Sequence, residues 1–152
     1  MKKKSITDLC GVESLDDFLL LEKTLDDQIK FKRIYVDIAG DLVAGILLGQ
    51  ILYWWGFDEY GNRRATIEHD GKIWIAKTRE AWWDEIRITC YQFDRAAEIL
   101  SKKGLIETGL WKFGLSPTKH IRPIDLNVIK AINSILDKVQ NRIEGKSKIE
   151  FG

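Results

Sequence analysis

Cationic and hydrogen-bonding side chains recur between residues 77 and 122 in types and spacings that suit contact with a polyanion. Gln92 and Arg95 stand three residues apart, a separation that places two side chains on one face of a helix. A glutamine can form paired hydrogen bonds with an adenine edge, and an arginine can bind guanine or a phosphate. Cations hold phosphates whatever the base sequence. The candidate DNA-contacting residues are Lys77, Arg79, Arg87, Tyr91, Gln92, Arg95, Lys112, Lys119, His120 and Arg122.

Each of these side chains also has an alternative explanation within the chain. Gln92 lies three residues after Thr89, where a capping-box glutamine bonds to the helix start instead of a base. Arg95 has carboxylates nearby in the sequence and could form a solvated ion pair. Tyr91 could lean on the preceding helix as readily as stack on a sugar. A charged strand face is usually only solvated.

Catalytic chemistry has little support in the sequence. The chain has no nucleophile elbow, phosphate-binding glycine loop or metal-ligand cluster. Its two cysteines, Cys10 and Cys90, and its two histidines, His69 and His120, lack metal-ligand spacing. We therefore expect neither an enzyme nor a cofactor. Two isolated cysteines and the lack of a signal-peptide core fit a reduced, cytoplasmic protein.

Two short helices around a tight turn are predicted to position the candidate residues. Thr78 suits the N-cap of the first helix, and Thr89 that of the second. Arg87 and Ile88 form the short connection between them. Gly104 ends the second helix, and a strand follows directly.

Two hairpins flank these helices in the predicted order. Asp70-Gly71 is a favoured two-residue turn within a hairpin at 66–76. Pro123 marks the return strand of the second hairpin as an edge strand or as near its end. The strands and tip of that hairpin are predicted at 105–113, 118–124 and 114–117.

Residues 42–55 (LVAGILLGQILYWW) are apolar except for Gln50. The segment is shorter than the roughly 20 residues that a membrane-spanning helix needs. We therefore expect a buried central helix at about 37–57, after a basic, partly extended connection at 28–35, and no membrane partner. Gly45 and Gly49 would let a neighbouring helix approach closely.

The terminal segments are predicted to add one helix each. Ser14 and Asp17 form a capping box that opens an N-terminal helix at about 14–27. A C-terminal helix is predicted at about 125–143, and the tail after Gly145 is expected to fray. Its apolar residues alternate three and four apart, so this seam could pack on the 42–55 helix or pair with a second copy. The candidate dimer-interface residues are Ile129, Ile132, Leu136, Val139 and Ile143.

In this arrangement the chain resembles the N-terminal winged-helix domains of replication proteins from Gram-positive phages and plasmids, including DnaD-like initiators. The resemblance rests on the order of four strings, AGILLGQILYWW, IWIAKTREAWWDEI, TCYQFDRAAEILSKKGLIE and SPTKHI, which cover most of 37–124. It implies a mostly α protein with a small β component. The fold would be a winged helix-turn-helix with extra N- and C-terminal helices, in one domain spanning 1–152.

The chain departs from such domains at three points. They usually have glycine in the turn between the two helices, where this chain has Arg87, and a positive φ there would cost about 1 kcal/mol. Cys90 and Tyr91 stand where basic residues are common. No C-terminal replication domain follows within the sequence, so helicase recruitment does not carry over.

These observations favour a double-stranded DNA-binding protein of a phage or mobile element, acting in replication initiation or transcriptional control. A homodimer and host replication proteins are further candidate partners. The alternative is a winged helix that binds a protein, as an adaptor or inhibitor of host machinery. Net charge favours neither strongly, because it is +1 for the 152 residues. Residues 77–124 contain nine Lys or Arg against six Asp or Glu, a local excess of +3.

Overall fold

The computed structural model describes residue 5 and residues 9–150, with side chains described up to residue 145. Two compact units divide the chain, at residues 1–30 and 31–152. In the first unit, helix α1 spans Leu15–Glu22 and ends earlier than the predicted 27. The Oγ of Ser14 accepts a hydrogen bond from the backbone N–H of Asp17 at 3.1 Å. The predicted N-cap of this helix is therefore confirmed.

The second unit is a mixed α/β structure with four antiparallel strands among its described residues. Helices account for about half of the chain. The elements are α2 (Arg33–Ala39), α3 (Leu42–Trp55), β1 (Ile67–His69), β2 (Lys72–Ala76), α4 (Arg79–Ile86), α5 (Cys90–Lys102), β3 (Ile106–Phe113), β4 (Ser116–Pro123) and α6 (Asp125–Glu150).

The predicted single helix at 37–57 is wrong, because two helices occupy this part of the chain. Helix α2 begins at Arg33, inside the predicted extended connection, and ends at Gly40, where φ is +70°. Glycine takes this left-handed conformation without a Cβ penalty and so ends the helix. Asp41 then opens α3, its Oδ2 accepting the N–H of Ala44 at 3.0 Å. The two helices are bent by 117° relative to each other.

Helices α2 and α3 approach closely at the two predicted glycines. A Cβ placed on Gly45 would lie 2.6 Å from the Cα of Val36 and 2.9 Å from its backbone nitrogen. A Cβ on Gly49 would meet the Cδ2 of Tyr35 at 3.1 Å. The predicted close approach of a neighbouring helix is confirmed, and the neighbour is α2.

The sheet has the strand order β1-β2-β4-β3. Asp70 and Gly71 join β1 to β2 with φ values of +53° and +73°, as a two-residue hairpin turn of the primed type requires. The long hairpin pairs β3 with β4 up to Phe113 opposite Ser116, so its tip is shorter than predicted. Strand β4 is an inner strand, and Pro123 is its last residue.

The core lies where α3, α4, α5 and the sheet meet. Fully buried α3 side chains explain why this segment is so apolar, since each contributes roughly 1.5–3 kcal/mol on burial. Among the described residues, no single helix is long and apolar enough to cross a bilayer. Only the bent pair α2–α3 meets the length and composition needed, when the two helices are taken together. The core includes Ala44, Leu47, Leu48, Ile51, Ile75, Trp82, Ile86, Phe93, Ala96, Ala97, Leu100 and Ile121.

Helix α6 runs to Glu150, beyond the predicted end at 143, and residues 151–152 of the tail that is expected to fray lie outside the described residues. It contacts α2, and Val128 is buried while Ala131, Ile132 and Ile135 pack on the core. Ile132 is thus partly buried against the core of its own protomer and is less accessible to a second copy than the other candidate interface residues. The other four candidate interface residues, Ile129, Leu136, Val139 and Ile143, are 47–55% exposed.

Candidate nucleic-acid interface

The two helices predicted to carry the candidate residues begin at well-formed caps. The Oγ1 of Thr78 accepts the N–H of Ala81 at 3.1 Å. At α5, the Oγ1 of Thr89 accepts the N–H of Gln92 at 3.1 Å, and the Oε1 of Gln92 accepts the N–H of Thr89 at 2.8 Å. This reciprocal pair is the predicted capping box. It occupies the carbonyl oxygen of Gln92, one of the two groups that would recognise adenine.

The connection between α4 and α5 places Arg87 in a left-handed conformation, with φ +58° and ψ +31°. Arg87 thus has a positive φ at the position where related domains usually have glycine, and a residue with a Cβ pays about 1 kcal/mol for this conformation. The guanidinium Nη1 donates to the carbonyl oxygens of Trp83 at 3.0 Å and Asp84 at 3.3 Å. A cation at the C-terminal end of a helix is stabilising, which offsets part of the backbone cost.

The exposed face of α5 carries charges that are largely matched by carboxylates. Arg79 forms two hydrogen bonds with Asp94, at 3.1 and 3.2 Å. Arg95 donates to the Oδ1 of Asp41 at 3.1 Å, although 54 residues separate them. Tyr91 is 78% exposed on the same helix. Because the arginine side chains are about half exposed, each pair contributes only roughly 0–1 kcal/mol.

Asp41 joins this face to the start of α3. The backbone N–H of Ala44 is the main reason that the pKa of Asp41 lies below its ordinary value of 3.8, and Arg95 lowers the pKa further. A carboxylate that caps a helix N-terminus is stabilised by the backbone N–H groups even without a cation. If Arg95 binds another group, Asp41 therefore still has the backbone N–H of Ala44 as its partner.

A groove of about 370 Å³ lies between the β3–β4 hairpin and the starts of α4 and α5. It brings together three of the predicted cations, Lys77, Arg79 and Lys119. Lys119 lies 5.9 Å from the ring centroid of Phe93. Lys77 is less available, since its Nζ is 2.6 Å from Glu85 and 3.7 Å from the ring centroid of Trp54. The remaining lining residues are Thr78, Glu80, Phe93, Leu110, Ser116, Pro117 and Thr118.

The prediction that His120 contacts DNA is wrong, because this side chain is fully buried. It lies on the opposite face of β4 from the core residue Ile121, within a cluster of aromatic rings. Its ring centroid lies 5.0 Å from His69 and 5.3 Å from Trp111. Its Nδ1 hydrogen-bonds to the carbonyl oxygen of Thr118 at 2.8 Å. Strand alternation places His120 and Arg122 on one face of β4, where aromatic side chains of β1 and β3 surround His120.

Arg122 and Lys112 also lie outside the groove lining. Arg122 forms an ion pair with Glu107 at 3.3 Å, and its Cζ lies 5.5 Å from the ring centroid of Trp55 and 5.8 Å from that of Trp74. Lys72 is the main cause that lowers the pKa of Glu107 below 4.5, and Arg122 is a further cause. Lys112 is exposed on β3. By strand alternation Lys112 lies on the face of β3 that carries Leu110, and Arg122 lies on the opposite face of the sheet. The structure therefore does not gather the predicted cations at one site.

Sequence reasoning missed two exposed apolar residues of the hairpin. Leu110 is 69% exposed and lines the groove, and Leu115 at the hairpin tip is 99% exposed. The position of Leu115 next to Gly114 at a turn was the available signal, since a turn residue is usually at the surface. It also missed Asp41 as the partner of Arg95, because no local pattern links residues so far apart.

Comparison with protein-family models, curated proteins and solved structures finds no match for this chain. Across the described residues, no group of three or more His, Cys, Asp or Glu side chains is placed to hold a metal ion.

Proposed function

We propose that the chain is a winged-helix protein that binds double-stranded DNA, serving a phage or other mobile element in replication initiation or transcriptional control. The pairing of β2 with β4 is the observation that supports this most. The elements of this part of the chain follow one another in the order α3, β2, α4, α5, β3, β4. Pairing of β2 with β4 then places the long β3–β4 hairpin beside the starts of α4 and α5. In this proposal α5 is the recognition helix and the β3–β4 hairpin is the wing.

The groove between wing and helices supplies the phosphate contacts of the proposal. Lys119 and Arg79 line it, and the exposed α4 start offers backbone N–H groups to the same anion. Arg87 and Lys112 add cations that have no carboxylate within ion-pair distance among the described residues. Tyr91 and Arg95 would then face the major groove.

The carboxylate partners of the arginines do not prevent this use. An exposed ion pair is worth about 0.2–1 kcal/mol, less than one charge-assisted contact in a desolvated interface. Arg95 would exchange Asp41 for a phosphate or base, and Asp41 would keep its cap to Ala44. Arg79 would make the corresponding exchange with Asp94.

The second candidate function is binding of a protein through the same surface. Three exposed apolar side chains favour it, namely Leu110, Leu115 and Trp83, with exposed fractions of 69%, 99% and 45%. The two functions differ in salt dependence, because each phosphate contact releases counterions whereas apolar contacts do not.

A fluorescence-anisotropy titration of a labelled mixed-sequence duplex, at about 50 and 200 mM salt, tests the proposal. Wild type should bind with a Kd of roughly 10⁻⁶–10⁻⁴ M and weaken steeply with salt. The Arg95→Ala/Lys119→Ala double variant should bind more weakly, with a shallower salt slope. Lys130→Ala on α6 is the matched control, since this lysine is exposed away from the groove lining. Absence of duplex binding at low salt would remove the DNA proposal.

A homodimer through α6 completes the proposal. Ile129, Leu136 and Ile143 repeat every seven residues on one exposed face, and Val139 lies beside them. Such spacing suits pairing with a second copy of the same helix, which would set two half-sites about one DNA turn apart. Light scattering of wild type and Leu136→Asp tests this. A wild-type monomer at high micromolar concentration contradicts it.

A further inference from the structure

Two adjacent arginines after α3, Arg63 and Arg64, contact aromatic rings and form no ion pair among the described residues. Six ion pairs join the described side chains, and neither Arg63 nor Arg64 belongs to any of them. By contrast, Arg79, Arg95 and Arg122 each have a carboxylate within 3.3 Å. The pair of guanidinium charges at 63 and 64 is therefore not neutralised by an ion pair.

Both guanidinium groups are held against aromatic rings. Arg63 lies between Trp55 and Phe57, with its Cζ 4.6 and 4.7 Å from the two ring centroids. Arg64 lies over Tyr53 at 4.2 Å. One nitrogen of each group donates to a backbone carbonyl near the end of α3, at 2.6 Å for Arg63 and 3.1 Å for Arg64. The other guanidinium N–H groups are held in place without a hydrogen-bond partner among the described residues.

Of the rings that contact these arginines, Trp55 is partly buried, whereas Tyr53 and Phe57 are open to solvent, and Tyr60 is exposed in the same loop. Tyr53 is 51% exposed, Phe57 58% and Tyr60 81%. Asp58, an acidic residue in the same loop, is turned towards the backbone. Its Oδ1 accepts the N–H groups of Tyr60 and Asn62, both at 2.9 Å, and so shapes the loop. Glu59, the second acidic residue of the loop, is exposed and forms no ion pair with either arginine. The loop thus presents exposed rings beside cations that have no carboxylate within ion-pair distance.

We propose that this arginine–aromatic surface, formed by Tyr53, Phe57, Tyr60, Arg63 and Arg64, binds single-stranded nucleic acid. Unpaired bases stack on exposed aromatic rings, and arginines hold the phosphates between them. A duplex keeps its base faces inside its own stack, so open rings select an unpaired strand. Positive charge without a carboxylate partner favours a polyanion over a neutral partner.

This surface is separate from the proposed duplex site. Arg122, near the end of β4 that is farthest from the wing tip, lies 5.5 Å from the ring centroid of Trp55. None of the five residues of the arginine–aromatic surface lines the wing groove. Strand binding therefore does not depend on duplex binding, and each can be tested without the other.

Anisotropy titrations of labelled 15-nucleotide oligo-dT and oligo-U with the full chain test the inference. We expect wild type to bind at least one of the two oligonucleotides at low salt, and the ratio of the two affinities compares a DNA strand with an RNA strand. Tyr60→Ala should weaken binding about tenfold, and Tyr60→Phe should restore it, because the ring and not the hydroxyl stacks. Arg64→Gln should weaken binding and make the salt dependence shallower.

The controls separate this inference from the duplex proposal. Tyr60→Ala should leave duplex binding unchanged, and Lys119→Ala should leave strand binding unchanged. If the protein binds the single strand but not the duplex, and Tyr60→Ala weakens the single-strand binding, the inference is supported although the duplex proposal fails. No strand binding at low salt overturns it. The inference is also overturned if Tyr60→Ala and Arg64→Gln both bind the strand with wild-type affinity while circular dichroism shows that they are folded. In that case a protein partner would be the better explanation of the exposed rings.

Discussion

Replacing Gly45 with alanine gives the sharpest test of how α2 and α3 are held together. The new Cβ would lie 2.6 Å from the Cα of Val36, 2.7 Å from its Cγ2 and 2.9 Å from its backbone nitrogen. Carbon atoms normally approach to about 3.5–4.0 Å, so α2 would have to move by roughly 1 Å. A change of side-chain rotamer cannot relieve contacts with the backbone of Val36.

The expected loss of stability follows from two opposing effects. Overpacking of a core typically costs about 1–3 kcal/mol, and a clash with backbone belongs at the upper end of that range. Alanine is better than glycine inside a helix by about 1 kcal/mol, which offsets part of the cost. The net loss in the free energy of unfolding is then about 2 kcal/mol, or roughly 4–8 °C in Tm for a protein of this size.

Urea unfolding followed by far-ultraviolet circular dichroism measures this change, and Gly49→Ala is the matched control. At Gly49 the new Cβ would meet only the edge of the Tyr35 ring, at 3.1 Å, which a small side-chain shift can relieve. The same gain in helix propensity applies there, so Gly49→Ala should stay within about 1 kcal/mol of wild type. If Gly45→Ala is as stable as Gly49→Ala, the close contact between α2 and α3 does not constrain the fold.

Three further predictions concern the helix ends and acid stability. Arg87→Gly should be more stable than Arg87→Ala by about 1 kcal/mol in urea unfolding, since only glycine is free of strain at φ +58°, and an equal or reversed order contradicts the assigned turn. Thr89→Ala should lose about 1 kcal/mol because α5 loses its cap, whereas Thr89→Ser should retain it. Asp41 and Glu107 have folded-state pKa values below 3.8 and 4.5, so their stabilisation is present above those ordinary values and is lost as pH falls through the lowered ones. The free energy of unfolding, measured from pH 6 to pH 3, should fall less steeply in Asp41→Asn than in wild type, and an unchanged slope would argue against this role for Asp41.

Local sequence signals predicted the helix ends well. The caps at Ser14, Thr78 and Thr89 and the turn at Asp70-Gly71 all occur where the sequence places them. Each depends on interactions within three or four residues, so no distant part of the chain is needed to specify it. The resemblance pointed to Arg87 as the turn position where glycine is usual, and the structure gives it φ +58°.

Helix α2 was the principal error in the predicted fold. Its sequence, RIYVDIA, is rich in β-branched and aromatic residues, and Lys32 at its N-cap makes no side-chain cap hydrogen bond. These features favour an extended segment locally. Packing against Gly45 and Gly49 of α3 stabilises the helix instead, and tertiary contact of that kind overrides a weak local preference.

The sequence alone determined where the helices near residues 78–104 begin and end, and that a hairpin follows them, because these features depend on neighbouring residues. Only the tertiary structure decided which candidate residues are available to a ligand. Pairing of β2 with β4 and the rings around Trp111 bury His120, and the fold brings Asp41 to Arg95 across 54 residues. The physical reason is that burial and ion pairing depend on distance in space, and a periodic pattern along one element carries no information about the element that will cover it.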